Sequence, residues 1–158
     1  MEYPVHCHIL TMIIAQIASF GLESGALTKE QLRTFHPGIC NRLDRNTSGI
    51  VVAGKSIYGL QTMTAAFKER TLHKYYLCIV KGNVEKRSRV KGYLYKNERT
   101  NKVTILQNAP KEKEKDILPI ETEYIPVCAN KQATLLKVNL LTGRSHQIRA
   151  HLSFLGHP

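Results

Sequence analysis

The sequence predicts an α+β fold with a mixed, largely antiparallel β-sheet flanked by helices. Three observations carry that expectation. Strand-like apolar runs outnumber helical patterns, and most of them meet a polar turn that sends the chain straight back, at 97–101 and at Asn130–Lys131. No Gly-x-Gly-x-x-Gly follows any strand, which argues against a dinucleotide-binding layout. The 158 residues suit one domain, 1–158, and no repeat or low-complexity tract divides them.

The elements follow in order. A loop leads into an amphipathic helix that breaks at Gly21–Gly25, and a shorter helical piece covers Thr28–Thr34. The apolar stretch Ile9–Phe20 is not a secretion signal: Glu2 and His6 stand where basic residues belong, and Gln16 interrupts it. It is also shorter than the about 20 apolar residues that span a bilayer. Gly49–Gly54 (GIVVAG) reads as a short buried strand. Ser56 is placed to cap a helix carrying Ile57, Leu60, Met63 and Phe67 at helical spacing, with Lys68, Glu69 and Arg70 closing it.

His73–Lys81 puts Tyr76, Cys78 and Val80 on one face and Tyr75, Leu77 and Ile79 on the other; both are apolar, so a central strand is expected. Val90–Tyr95 and Val103–Gln107 form a hairpin across the turn 97–101, and 108–116 is a charged, solvated loop. Ile120–Cys128 and Ala133–Leu141 pair as strands. Ser145 is expected to cap a last helix with Ile148, Leu152 and Leu155 inward and Gly156 as its stop.

With 23 Lys and Arg against 12 Asp and Glu, the formal charge is +11, which favours a polyanion such as nucleic acid, or an anionic membrane surface, as partner. A hydrophobic content of 42% supplies one ordinary core and excludes a disordered tail. Cys7, Cys40, Cys78 and Cys128 are scattered with no Cys-x-x-Cys, which removes zinc-ribbon and thioredoxin readings and suits a reducing, cytoplasmic setting. His146 and His151, five apart on a helix, point in different directions, so no metal site is expected there; His6-Cys7-His8 reads as incidental.

Two polar clusters stand out: Asn41-Arg42-Leu43-Asp44-Arg45-Asn46-Thr47-Ser48-Gly49, and Leu141-Thr142-Gly143-Arg144-Ser145-His146-Gln147-Ile148-Arg149. An acid between two arginines is more often a plain surface loop, since exposed ion pairs are common and weak. If folding brings the clusters together, Arg144 keeps Asp44 ionised by charge and hydrogen bonding, a nucleophile that needs no metal or cofactor.

The motifs N-R-L-D-R-N-T-S-G, K-Y-Y-L-C-I-V-K-G, L-L-T-G-R-S-H-Q-I-R-A-H-L and L-G-H-P, in that order, resemble the catalytic motifs of the large-subunit-rRNA type of pseudouridine synthase. The match runs from about Pro37 to Pro158, roughly three quarters of the chain. The resemblance implies an isomerase that turns uridine into pseudouridine in structured RNA, ribosomal more than transfer RNA, without cofactor, metal or membrane. It implies that Asp44 is the catalytic aspartate and Arg144 the arginine that pairs with it. Tyr76, rather than Tyr75, would stack on the target base and take part in proton removal. Arg42 would fill the gap left by the extruded uridine and Ile148 would line the pocket. Leu43, Arg45, His146, Gln147 and Arg149 would complete the substrate-binding set.

The residue types suit this chemistry. Extruding a base costs a few kcal/mol, and stacking on an aromatic ring returns about 1–3 kcal/mol per base. Tyr75 and Tyr76 taken alone would read as strand packing. Lys81, Lys86, Arg87, Arg89, Lys91 and Lys96 read by default as a solvated face, or as phosphate contacts in an RNA-binding protein.

Asn41 stands where many members of that family have His, so a tuned loop is expected. The chain starts almost at the family's Pro-Val-His loop and stops at Pro158, with no S4-like module ahead. The expectation is a catalytic core with both margins trimmed and an exposed sheet edge that invites dimerisation, oligomeric state being open. A non-catalytic RNA-binding module, or an inactive fragment of such an enzyme, is the competing reading.

Overall fold

The computed structural model describes residues 5–44, 46–100, 102–109 and 116–158, with side chains from Met12 onward. The chain forms two compact units, Met1–Thr71 and Leu72–Pro158. Among the described residues no helix is long and apolar enough to cross a membrane.

The first unit contains α1 (Val5–Glu23), α2 (Lys29–Thr34), a two-residue antiparallel pair β1 (Gly38–Ile39) and β2 (Ala53–Gly54), and α3 (Ile57–Glu69). α1 ends at Glu23, within the expected break at Gly21–Gly25. Gly21 is still helical, and its missing side chain leaves the space that buried Leu27 fills: a Cβ there would stand 2.4 Å from Leu27 Cδ1. Thr28 opens α2 with a capping box, its hydroxyl accepting from Gln31 N–H at 3.2 Å while Gln31 Oε1 accepts from Thr28 N–H at 2.8 Å. Ser56 caps α3 through Gly59 N–H at 3.1 Å.

GIVVAG is not a buried strand. Only Ala53 and Gly54 pair, and Ile50 is 83% exposed. The run is the returning limb of a loop whose backbone is held by a side chain, as described below.

The second unit is a five-stranded sheet, β3 (Tyr75–Lys81), β4 (Ser88–Asn97), β5 (Lys102–Leu106), β6 (Ile117–Ala129) and β7 (Ala133–Leu140), in the order β3-β7-β6-β4-β5, with α4 (Gln147–Phe154) after it. Every pairing is antiparallel. Turn chemistry sets the register. Asn97 Oδ1 accepts from Arg99 and Thr100 N–H between β4 and β5, and Asn130 Oδ1 accepts from Gln132 and Ala133 N–H between β6 and β7.

One sheet face carries Tyr76, Cys78 and Val80 of β3 and Leu136 and Val138 of β7 against Ile148 and Leu152 of α4 and Leu155 just after it; a second cluster joins Leu94, Ile105 and Ile120 to Ala150. The other face is open at β3, where Tyr75, Leu77 and Ile79 are 54%, 68% and 75% exposed. Among the described strands β3 is therefore an edge strand rather than a central one, with β7 as its neighbour. Apolar residues on both faces predict a covered strand, and the pairing gives it one covered face.

The expected Ser145 cap is also corrected. His146 occupies the N-cap position in the left-handed conformation, φ 56°, without a side-chain cap bond. At the other end Gly156, φ 92°, allows Gly156 N–H to reach Ser153 O and His157 N–H to reach Leu152 O, which stops α4.

Candidate active site

The first motif lies on the loop between β1 and β2. Asn41 closes its base: Nδ2 donates to Ile50 O at 3.0 Å, and Oδ1 accepts from Val52 N–H at 2.7 Å. With Cys40 N–H donating to Val52 O at 2.8 Å, the side chain extends the β1–β2 ladder by imitating a peptide unit. Asp44 sits near the loop's far end with an exposed side chain, and its carbonyl accepts from Thr47 N–H at 2.9 Å. Arg42 is exposed and Leu43 half-buried, while Arg45 lies outside the described residues.

The second and third motifs lie in the second unit. Tyr76 pairs with Val138 and packs, half-buried, on the core cluster that also holds Ile148. β7 ends two residues later at Leu140, and the loop 141–146 leads from that sheet end into α4. Arg144 is on this loop. Its Nε is buried and has no hydrogen-bond partner among the described residues. Lys74 borders the loop, since a Cβ on Gly143 would meet its Nζ at 2.8 Å. His146 is half-buried and Arg149 exposed.

Gln147, expected among the substrate contacts, is instead 2% exposed with its carboxamide fully used inside the fold. Its Oε1 accepts from Arg144 N–H at 3.0 Å and from the Thr142 hydroxyl at 2.9 Å. Its Nε2 donates to Glu121 O at 3.1 Å and Thr122 Oγ1 at 3.0 Å. Thr122, fully buried, also meets His151 Nδ1 at 3.0 Å. Burial holds the His151 imidazole below its ordinary pKa, so the ring is kept neutral.

Sequence reasoning missed Thr122 and His151 in this network. A threonine in a strand gives no signal, and His151 invited only a metal reading. Among the described residues no group of three or more His, Cys, Asp or Glu is placed to hold a metal ion.

The basic strip is also partly neutralised. Arg87 pairs with Glu123, Arg89 with Glu121 at 2.7 Å, Lys91 with Glu121 at 3.8 Å, and Lys96 with Glu98 at 3.0 Å. Both glutamates of β6 are held below the usual carboxylate range, Glu121 chiefly by its bond to Arg89 and Glu123 chiefly by its bond to Arg87. The charged loop at 110–115 lies outside the described residues.

Comparison with known proteins places this geometry. The family described as RNA pseudouridylate synthase matches residues 22–154. The chain is 35% identical over 144 residues to ribosomal large subunit pseudouridine synthase C of Vibrio vulnificus, covering 87% of this chain and 42% of that protein. It is 33% identical over 122 residues to ribosomal large subunit pseudouridine synthase D of Nitrosomonas europaea, covering 77% of this chain and 33% of that one. Among solved structures it resembles human RNA pseudouridylate synthase domain containing 1, with a TM-score of 0.65, 28% identity, and coverage of 82% of this chain and 56% of that one. The chain thus spans less than half the length of these bacterial relatives.

Proposed function

The chain belongs to the RNA pseudouridylate synthase family, and from that membership we propose that it isomerises specific uridines of structured RNA, ribosomal RNA in the first place, to pseudouridine. In this reading 1–158 acts as one catalytic domain in the cytoplasm. The bacterial relatives named above are rRNA enzymes by name, and that favours ribosomal over transfer RNA.

The reaction breaks the bond from the ribose carbon to uracil nitrogen, turns the base, and joins the same ribose carbon to a ring carbon. One proton leaves that ring carbon and one is taken up at the released nitrogen, so no electrons or water are consumed. Asp44 supplies the carboxylate that adds to the nucleotide or assists departure of the base. Arg144 pairs with that carboxylate during the reaction. Tyr76 stacks on the extruded uracil and assists removal of the proton. Arg42 occupies the space that the base leaves, Ile148 lines the pocket, and Leu43, Arg45, His146 and Arg149 contact the RNA.

The observation that carries the reading is the buried, unpartnered Nε of Arg144. A buried guanidinium donor without an acceptor costs about 1–3 kcal/mol or more, and a site that receives an anion recovers that cost. Lys74, beside the same loop, adds positive charge where a phosphate would approach.

The test is Asp44→Asn with a large-subunit rRNA transcript. Pseudouridine formation should be abolished while RNA affinity stays within about twofold, because affinity is set mainly by phosphate contacts. Wild-type protein that binds the transcript but forms no pseudouridine would move the chain to the competing reading, an RNA-binding module or inactive fragment.

A further inference from the structure

Both main-chain polar groups of Arg144 end on a single residue. Its N–H donates to Gln147 Oε1 at 3.0 Å, and its carbonyl accepts from Gln147 N–H at 3.2 Å. We propose that Gln147 is the positioning residue for Arg144, its carboxamide being locked in one orientation by Thr142, Thr122 and His151 and so fixing where the guanidinium leaves the loop. The inference rests on the reading that Arg144 serves the reaction.

The orientation follows from counting protons. Arg144 N–H can only donate, so the oxygen of the amide must face it. Thr142 Oγ1 accepts from Glu121 N–H at 2.8 Å, which leaves its own hydrogen for the same Oε1. The two amide hydrogens then go to Glu121 O and Thr122 Oγ1. Thr122 Oγ1, which accepts from the amide, is itself held by His151 Nδ1 at 3.0 Å.

A flipped amide would set NH₂ against the Arg144 N–H and carbonyl against Glu121 O. Glutamate, the isostere, keeps both acceptors and loses both donors. The strained αL backbone of His146 is what lets residues 144 and 147 face each other across the turn. No other uncharged side chain of this length supplies two acceptor and two donor directions.

The experiment compares wild type, Gln147→Glu and Thr122→Val. Two readouts are used: amide hydrogen exchange of Arg144 by NMR without RNA, and tritium release from a large-subunit rRNA transcript labelled at uridine C5. The Arg144 amide should exchange about tenfold faster in Gln147→Glu, because the side chain, without its two donors to Glu121 O and Thr122 Oγ1, no longer holds Oε1 against that N–H. The kcat should fall about 100-fold, as misplacing a catalytic group does, with KM for RNA within about twofold. Thr122→Val, which keeps the shape and removes the hydroxyl, should shift both readouts in the same direction. Faster Arg144 exchange with unchanged kcat would overturn the proposal, as would unchanged exchange in Gln147→Glu. Arg144→Lys with full activity, or wild type without tritium release, would instead fail the functional reading, and the exchange arm would then judge the clamp by itself.

Discussion

The Lys137 ammonium lies 4.6 Å from the centroid of the Tyr75 ring, on the sheet face opposite the one where Tyr76 packs against the core. Neighbours in sequence, these tyrosines are separated by the two-residue period of the strand. Tyr75 is therefore occupied with a surface cation, and Tyr76 shares a cluster with Ile148. Replacing each by phenylalanine should separate their roles. Tyr75→Phe keeps the ring and should leave pseudouridine formation within about twofold, since an exposed cation–π contact contributes only about 0.5–1 kcal/mol. Tyr76→Phe keeps stacking and loses the hydroxyl, so activity should drop by about 100-fold or more if that group assists proton removal. Single-turnover rates on one rRNA transcript check both.

The pH dependence of stability should show two windows. His151 is buried and its folded pKa is depressed by desolvation, whereas in the unfolded chain it titrates near 6.5. Below about pH 6.5 the unfolded state takes up a proton that the folded state resists, so stability falls as pH drops toward the lower folded pKa. Urea midpoints at pH 7.5 and 5.5 should diverge more for wild type than for His151→Gln, which does not titrate there. Glu121 and Glu123 act lower. Their folded pKa values are depressed by Arg89 and Arg87, so their contribution is complete above about 4.5 and is lost as pH falls through the depressed values. Salt should weaken this second window more than the first, because the pairs are exposed.

Local signals in the sequence were dependable where one residue decides the outcome. Ser56, Asn97, Asn130 and Gly156 each act through their own backbone neighbourhood, and each is found at the predicted cap or turn. The alternation of β3 was equally legible. Its edge position was not, because hydropathy reports which faces are apolar and not which are covered. GIVVAG failed as a strand for a related reason: a β-branched run pairs only if backbone partners face it, and Asn41 takes two of those groups first. In the candidate site, the motif singles out Gln147 but cannot say that its polar atoms point inward, since that depends on Thr122, 25 residues earlier in sequence.

Gly54 should tolerate no side chain. A Cβ at that position would stand 2.5 Å from Leu60 Cα and 2.6 Å from Leu60 N, both in the backbone of α3. Gly54→Ala therefore has to push the helix away from β2, with a cost of about 1–3 kcal/mol or more from overpacking. Gly143→Ala is the contrast, because its Cβ meets the flexible end of Lys74 at 2.8 Å, which can swing aside. Chemical denaturation should show a clear loss of midpoint for the first variant and little change for the second.

The loop that presents Asp44 should depend on Asn41 more than its partly open position suggests. The carboxamide supplies a donor to Ile50 O and an acceptor to Val52 N–H, which are the two halves of one ladder step. Asn41→Ala removes both, about 1–2 kcal/mol of net hydrogen bonding, and the exchange of Val52 N–H should accelerate more than that of amides in the middle of α3. Asn41→His should recover no more than one of the two bonds, because the ring nitrogens lie on different sides of the imidazole. Since the loop carries the proposed nucleophile, kcat should follow Val52 protection across the series wild type, Asn41→His and Asn41→Ala, while RNA affinity stays constant. A series in which Val52 protection falls and kcat does not would separate loop order from catalysis, and would assign Asn41 to stability alone.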